Sequence, residues 1–261
     1  MEKNKIWSIQ LGKSPIIAAA IHNGHGVRDE ILELFNLSED ERLREEDPFT
    51  GDWTAIADTR IIGLSSRFEV DLNRSREKAV YIEPEDAWGL QVWKSRPSKE
   101  IVERSLLEYD EFYNETSYVL KDLQQQFGKF VVYDLHSYNH MRNGPSEQPA
   151  DPASNPEVNV GTGTLDHEYW APVIERFMTD LHNFNYLGRH LDVRENVKFK
   201  GGNFSKWINE NFDKSGCAIA IEFKKFFMDE WTGEPDIVQL KAIHQALKST
   251  VAGVVEELAK L

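Results

Sequence analysis

The sequence predicts an α/β fold in a single domain spanning residues 1–261. Three observations carry that expectation. Short apolar runs alternate with longer amphipathic stretches, the pattern of strands covered by helices. A chain of 261 residues has the length of one large α/β domain and buries roughly three quarters of its unfolded surface. Hydrophobic residues make up 40% and charged residues 28%, the balance of an ordinary globular protein rather than a disordered one.

The elements follow in order. PIIAAAI, Pro15 to Ile21, is a short apolar run and reads as a strand. Further strands are expected over Arg60 to Leu64, Phe68 to Leu72, Lys129 to Leu135 (KFVVYDL) and Cys217 to Phe223. Amphipathic spacing predicts helices over Arg28 to Phe35, Lys99 to Gln126, Glu168 to Phe184, Phe204 to Phe212 and about Ile237 to Leu261. Ser98 is a natural N-cap for the long helix, which must stop before Gly128. Between Asn139 and Gly163, a stretch rich in Pro, Asn, Ser and Gly reads as a long loop. A loop of that length in a compact domain is often functional.

Composition excludes several classes. The net charge of −14 is spread along the chain, which argues against a nucleic-acid backbone or an anionic membrane as partner. No apolar run approaches the ~18 residues needed to span a bilayer. The opening stretch MEKNKIWSIQLGKSP lacks a continuous apolar core followed by a cleavage site, so the expected setting is the cytoplasm. The single cysteine, Cys217, excludes an intrachain disulfide and a multi-cysteine metal cluster, so a metal would need His and carboxylate ligands. Its apolar context predicts a buried thiol.

Four segments are candidates for chemistry. In IHNGHG, His22 stands where the first apolar run stops, and strand carboxyl ends are where open α/β sheets bind ligands. His25 follows at a spacing that brings two ligands to one metal if the chain turns. In KFVVYDLHSY the run again ends at a histidine, His136, and alternation puts Asp134 on its face as an orienting carboxylate. In IAIEFKKFF, Glu222 shares a face with Ala218 and Ala220 and is placed to act as a general base, its pKa raised by an apolar surround. The rival reading pairs it with Lys224 or Lys225. In SSRFEVDLNR, Arg67, Glu69, Asp71 and Asn73 alternate with apolar residues, as in a half-exposed strand. The concentration of Arg and Asn there also suits a substrate carboxylate.

These segments resemble the N-formylglutamate amidohydrolase family, which is distantly similar to aspartoacylases and zinc carboxypeptidases. The matching pieces, in the family's order, are IHNG, REEDPFTGDW at Arg44 to Trp53, SRFEVDLNR, DLHSY, NVGTG at Asn159 to Gly163, FKGGN at Phe199 to Asn203, and AIEF. The resemblance implies a mixed, twisted sheet flanked by helices in a zinc-carboxypeptidase-like fold. It also implies a zinc site built from two histidines, His22 and His136, and a carboxylate. Glu222 would be the general base, Asn73 and Arg74 the carboxylate grip, and Arg67 a further arginine beside the developing oxyanion. Arg142 and Lys200 are candidates for a second substrate carboxylate.

The third ligand departs from the carboxypeptidase pattern, because His25 stands where a glutamate would. Glu46, Asp47 and Asp52 are the acidic alternatives; Glu46 is favoured, with His25 as rival. The expected activity is zinc-dependent hydrolysis of a small anionic N-acyl amino acid, with formyl as the family's acyl group. Iron or manganese would suit the same residues. The competing readings are a metallocarboxypeptidase acting on a short peptide, a binding protein whose site has decayed, and a structural domain.

Overall fold

The computed structural model describes residues 5–261; the first four residues of the stretch read for a signal lie outside them. In chain order its strands are β1 (Trp7–Gln10), β2 (Ile16–Ala20), β3 (Thr59–Gly63), β4 (Phe130–Tyr138), β5 (Val158–Gly161), β6 (Val193–Glu195) and β7 (Gly216–Lys224). Its α-helices are α1 (Asp29–Leu32), α2 (Glu39–Glu45), α3 (Thr50–Trp53), α4 (Lys99–Phe127), α5 (His167–Asn183), α6 (Asn203–Phe212) and α7 (Ile237–Leu258).

One mixed seven-stranded sheet has the order β1-β3-β2-β4-β7-β5-β6. The central strands β3, β2, β4 and β7 run parallel, while β1 and β5 are antiparallel to their inner neighbours. Parallel strands need cover on both faces, and every residue of β2 and β4 is buried. On one face Val131, Tyr133 and Leu135 pack with Phe177 of α5 and Leu247 of α7. On the other, Ile17 and Val132 pack with Phe112 of α4 and Phe204 of α6. Ser98 caps α4, its hydroxyl accepting from Ile101 N at 3.4 Å, and Gly128 ends it with φ of 75°.

The α/β class and the flanked mixed sheet are as the sequence leads one to expect, with three corrections. Phe68 to Leu72 is not a strand: Glu69 N donates to Ser66 O at 3.0 Å and Arg74 N to Asp71 O at 3.3 Å, so the segment is a run of turns. Its alternation arises because Phe68, Val70 and Leu72 point into the core from an irregular backbone. The helix from Arg28 stops at Leu32, and Phe35 instead bridges to Trp93. The long loop after Asn139 contains β5, which pairs with β7. The short elements β1, β6, α2 and α3 add to the expected set. No helix among the described residues is long and apolar enough to cross a membrane.

Candidate active site

The site lies at the carboxyl ends of the parallel strands. β4 runs to Tyr138, so Asp134 and His136 both belong to it and share a face. Its parallel register with β7 sets His136 beside Glu222. His22 sits just past the end of β2.

The carboxylate that meets the two histidines comes from the IHNG and REEDPFTGDW segments docking together. Asp47 N donates to His22 O at 2.9 Å, and Gly51 N to Asn23 Oδ1 at 2.8 Å. His22, Asp47 and His136, all buried, form a group whose ligand atoms lie within 4.8 Å of one another. Nδ1 of His136 is 2.9 Å and Nδ1 of His22 3.5 Å from the same oxygen, Asp47 Oδ2. Each far nitrogen is anchored by another carboxylate: His22 Nε2 is 2.7 Å from Asp71 Oδ1, and His136 Nε2 is 2.9 Å from Asp134 Oδ1. Ser137 Oγ donates to Asp47 Oδ1 at 3.2 Å.

This donor set fits a metal. Two imidazoles turn the same nitrogen toward one carboxylate oxygen while buried acids hold their other nitrogens, the arrangement that orients metal-binding histidines. Burial would raise the Asp47 carboxyl, but His136 and His22 outweigh it and hold it far below the carboxylate range. Burial opposes charge on His136 as well, yet Asp134 and Asp47 push its pKa up. Such mutual tuning is typical of functional sites.

Glu46 and His25 do not join this group. His25 Nδ1 is 2.6 Å from Glu46 Oε2, Ser66 Oγ donates to the other Glu46 oxygen, and Arg42 Nη1 donates to His25 O at 3.1 Å. Of the acidic alternatives it is Asp47, not the favoured Glu46, that the structure brings to the two histidines. Adjacent residues at the end of α2 point in different directions, and only tertiary contacts decide which one meets the histidines.

Glu222 faces the group without a partner from Lys224 or Lys225. Lys224 Nζ donates to Asn155 O at 3.1 Å, and Lys225 Nζ to the carbonyls of Arg44 and Glu46. Burial is the main cause raising the pKa of Glu222 to about 8; His136 and Arg67 oppose it, and Asp47 and Asp134 reinforce it.

Arg67, Asn73 and Arg74 come from the turns between Ser66 and Arg74 and are organised by Asp71. Asp71 Oδ2 accepts from Arg67 Nη2 at 2.8 Å and from the Tyr81 hydroxyl, while its Oδ1, which meets His22, also accepts from Asn73 N at 2.7 Å. The same acid thus serves a histidine and the arginine beside it. Asn73 Oδ1 accepts from Phe204 N at 2.9 Å, tying this turn to the start of α6. A Cβ at Gly202 would fall 2.3 Å from the Asn73 amide, which explains the small residue in FKGGN. Trp88, half exposed with φ of 56°, lays its ring against both arginines, 5.0 Å from Arg67 and 5.9 Å from Arg74.

These residues line one cleft of about 420 Å³. Six cationic side chains, Arg67, Arg74, Arg142, Lys198, Lys200 and Lys225, border it against three carboxylates, Glu45, Asp47 and Glu222. Arg142 is held by Glu45 at 3.2 Å. Lys198 lies 5.2 Å from the Tyr138 ring and donates to Asn155 Oδ1 at 2.6 Å. Its segment is fixed by Asn159 of NVGTG, whose Oδ1 accepts from Lys198 N at 2.8 Å. Asn139 is 3% exposed, lines the cleft, and has no partner for its Oδ1.

All the candidate residues except Glu46, His25 and Asp52 border the cleft or its histidines. The sequence reading missed Asp47 as first choice, the anchoring by Asp71, and Trp88, Asn139 and Lys198. Only Asp71 left a signal, as an acid between two arginines. The cleft joins a candidate metal centre to a lining rich in cationic side chains.

The sequence matches the N-formylglutamate amidohydrolase family model over residues 14–228, and the chain belongs to that family. It is accordingly a hydrolase acting on an amide, of the N-formylglutamate amidohydrolase type. The fold is shared with the crystal structure of N-formylglutamate amidohydrolase from Ralstonia eutropha JMP134, at 14% identity and a TM-score of 0.76 over 98% of this chain and 99% of that one. A gene product from Agrobacterium tumefaciens is similar at 15% identity and a TM-score of 0.68, covering 98% and 97%. No curated protein matches the sequence.

Proposed function

We propose that this protein hydrolyses the amide of an N-acyl acidic amino acid, N-formylglutamate foremost, at a metal held by His22, Asp47 and His136. The observation that carries the reading is the convergence of both histidine Nδ1 atoms on one Asp47 oxygen, with both Nε2 atoms anchored by buried acids, at the floor of a cation-lined cleft. Two imidazoles and a carboxylate suit zinc, and iron or manganese would suit the same donors. A divalent metal held there supplies Lewis acidity to water and to the amide carbonyl.

The protein's own groups do the rest. Glu222, whose burial raises its affinity for a proton, takes the proton from the attacking water and returns it to the departing amine. Arg67, fixed by Asp71 and Tyr81, keeps a positive charge beside the carbonyl oxygen as negative charge develops on it. Asn73 and Arg74 hold the carboxylate next to the scissile amide. Arg142, Lys198 and Lys200, which border the same cleft, receive the side-chain carboxylate, and Asn139 offers a carboxamide to the substrate's polar atoms.

An assay of formate and acetate release from N-formyl and N-acetyl amino acids, with and without chelator, tests the reading. Release of formate from N-formylglutamate that stops with chelator and resumes with zinc is the expected result. Chelator-insensitive turnover, or release only of a C-terminal residue from dipeptides, would sink it.

A further inference from the structure

Lys225 is the most deeply buried cation bordering the cleft, 1% exposed. It follows directly on β7, three residues after Glu222. Its ammonium donates to Arg44 O at 2.6 Å and to Glu46 O at 2.7 Å, and no carboxylate lies within ion-pair distance of it among the described residues. A buried cation without an ion-pair partner is costly unless its protons are bonded.

The two acceptors explain the arrangement. α2 ends at Glu45, so both carbonyls belong to the helix end, where oxygens lack helical partners and a positive charge is favourable. The carbonyl of Glu46 is also one half of the peptide group whose other half is the N–H of Asp47. That N–H donates to His22 O at 2.9 Å. A single peptide plane is therefore held at both ends, by the lysine at its oxygen and by the residue of a candidate ligand at its nitrogen. The Asp47 side chain departs from the Cα next to this plane, so the plane sets where the carboxylate lies.

We infer that Lys225 is a positioning residue for the metal centre: by gripping the Glu46–Asp47 peptide from the end of β7, it aims the Asp47 carboxylate at His22 and His136. This rests on the metal reading of the site. It also ties the strand that carries Glu222 to the loop that carries the carboxylate, so acid–base group and metal centre keep a fixed relation.

Charge and position make opposite demands here, which gives the test its sign. A cation near the site repels a dication, so if charge were its only effect, Lys225→Met would tighten metal binding. If Lys225 positions Asp47, the same change weakens it. Binding of Co²⁺ and Zn²⁺ is measured by competition with a chromophoric chelator for wild type, Lys225→Met, Lys225→Arg and Asp47→Ala, with thermal unfolding of each metal-free protein recorded separately. The expected result is a loss of about tenfold or more for Lys225→Met, in the range seen when an outer partner of a metal ligand is removed. A smaller loss is expected for Lys225→Arg, which keeps the donors on a longer arm. Both losses should appear in protein that is folded without metal, and the visible spectrum of bound Co²⁺ should change in the Met variant.

Equal or tighter binding by a folded Lys225→Met protein overturns the inference. If that variant does not fold, Lys225→Arg decides, and an affinity within about twofold of wild type overturns it. A wild type that binds neither ion, or an Asp47→Ala protein that binds like wild type, overturns the metal reading itself and this inference with it.

Discussion

Two histidine–carboxylate clusters draw on the same two segments, their carboxylates one residue apart and the histidines His22 and His25 three apart. His25 meets Glu46, and His22 meets Asp47 together with His136. Both set imidazole against carboxylate, and both carboxylates are buried. In the first cluster a single imidazole meets the acid, with the Ser66 hydroxyl on the other Glu46 oxygen and Arg42 against the histidine. In the second, two nitrogens share one oxygen and buried acids take the far nitrogens, leaving the near ones directed inward at the cleft floor. A second imidazole on the same oxygen, with both far nitrogens anchored by acids, distinguishes the candidate metal centre from the closed pair.

The comparison breaks most visibly at the open cluster. Asp47→Ala should weaken metal binding by more than roughly 100-fold, beyond the cost of removing an outer partner, and abolish turnover; metal content after dialysis is the measurement. Next comes Glu222→Gln, for which kcat should fall on the order of 10³-fold with metal retained, the range of a lost general base.

The pH profile sharpens the same point. Glu222 works when deprotonated, so activity is lost as pH falls through its pKa. Burial moves that pKa from 4.5 toward about 8, while a bound cation pulls it back. The acid limb of kcat/KM should thus lie between these values. A limb at or below 4.5 would remove Glu222 from the role.

Smaller effects belong to the cleft walls. Arg74→Met should raise KM roughly 30-fold, the equivalent of about 2 kcal/mol for a charge-assisted contact, with kcat little changed. Lys198→Met should raise KM for N-formylglutamate by roughly fivefold, about 1 kcal/mol for a partly exposed charge pair. N-formylalanine, lacking the second carboxylate, should be unaffected. The smallest effect belongs to the closed cluster: Glu46→Gln should alter metal affinity by less than about threefold while costing about 1–3 kcal/mol of stability through its buried bonds. A large metal loss in that variant would erase the distinction between the clusters.

Much of this was legible from residue order. PIIAAAI and KFVVYDL read as buried strands because they are short apolar runs, rich in β-branched residues or bounded by turn residues, with polar residues at their ends. From that alone His22, His136 and Glu222 fall at one edge of the sheet. The strands β1, β5 and β6 were not legible, since three or four residues carry too little periodicity. The turns after Ser66 imitate a strand because an irregular backbone anchored by Phe68, Val70 and Leu72 yields the same alternation. The choice between Glu46 and Asp47 was out of reach for a different reason. It depends on Lys225, His22 and Ser66, all distant in sequence.

The pairing of β4 with β7 has a consequence for the order in which the protein becomes itself. A chain completed only as far as α5 already possesses His22, Asp47 and His136, but the edge of β4 that will receive β7 is still bare. Glu222 and Lys225 arrive together on the last strand, across a long sequence separation of the kind that slows folding. If Glu222 is the base and Lys225 the clamp, both depend on that one pairing. On the proposed reading, activity would then report that β7 has joined the sheet.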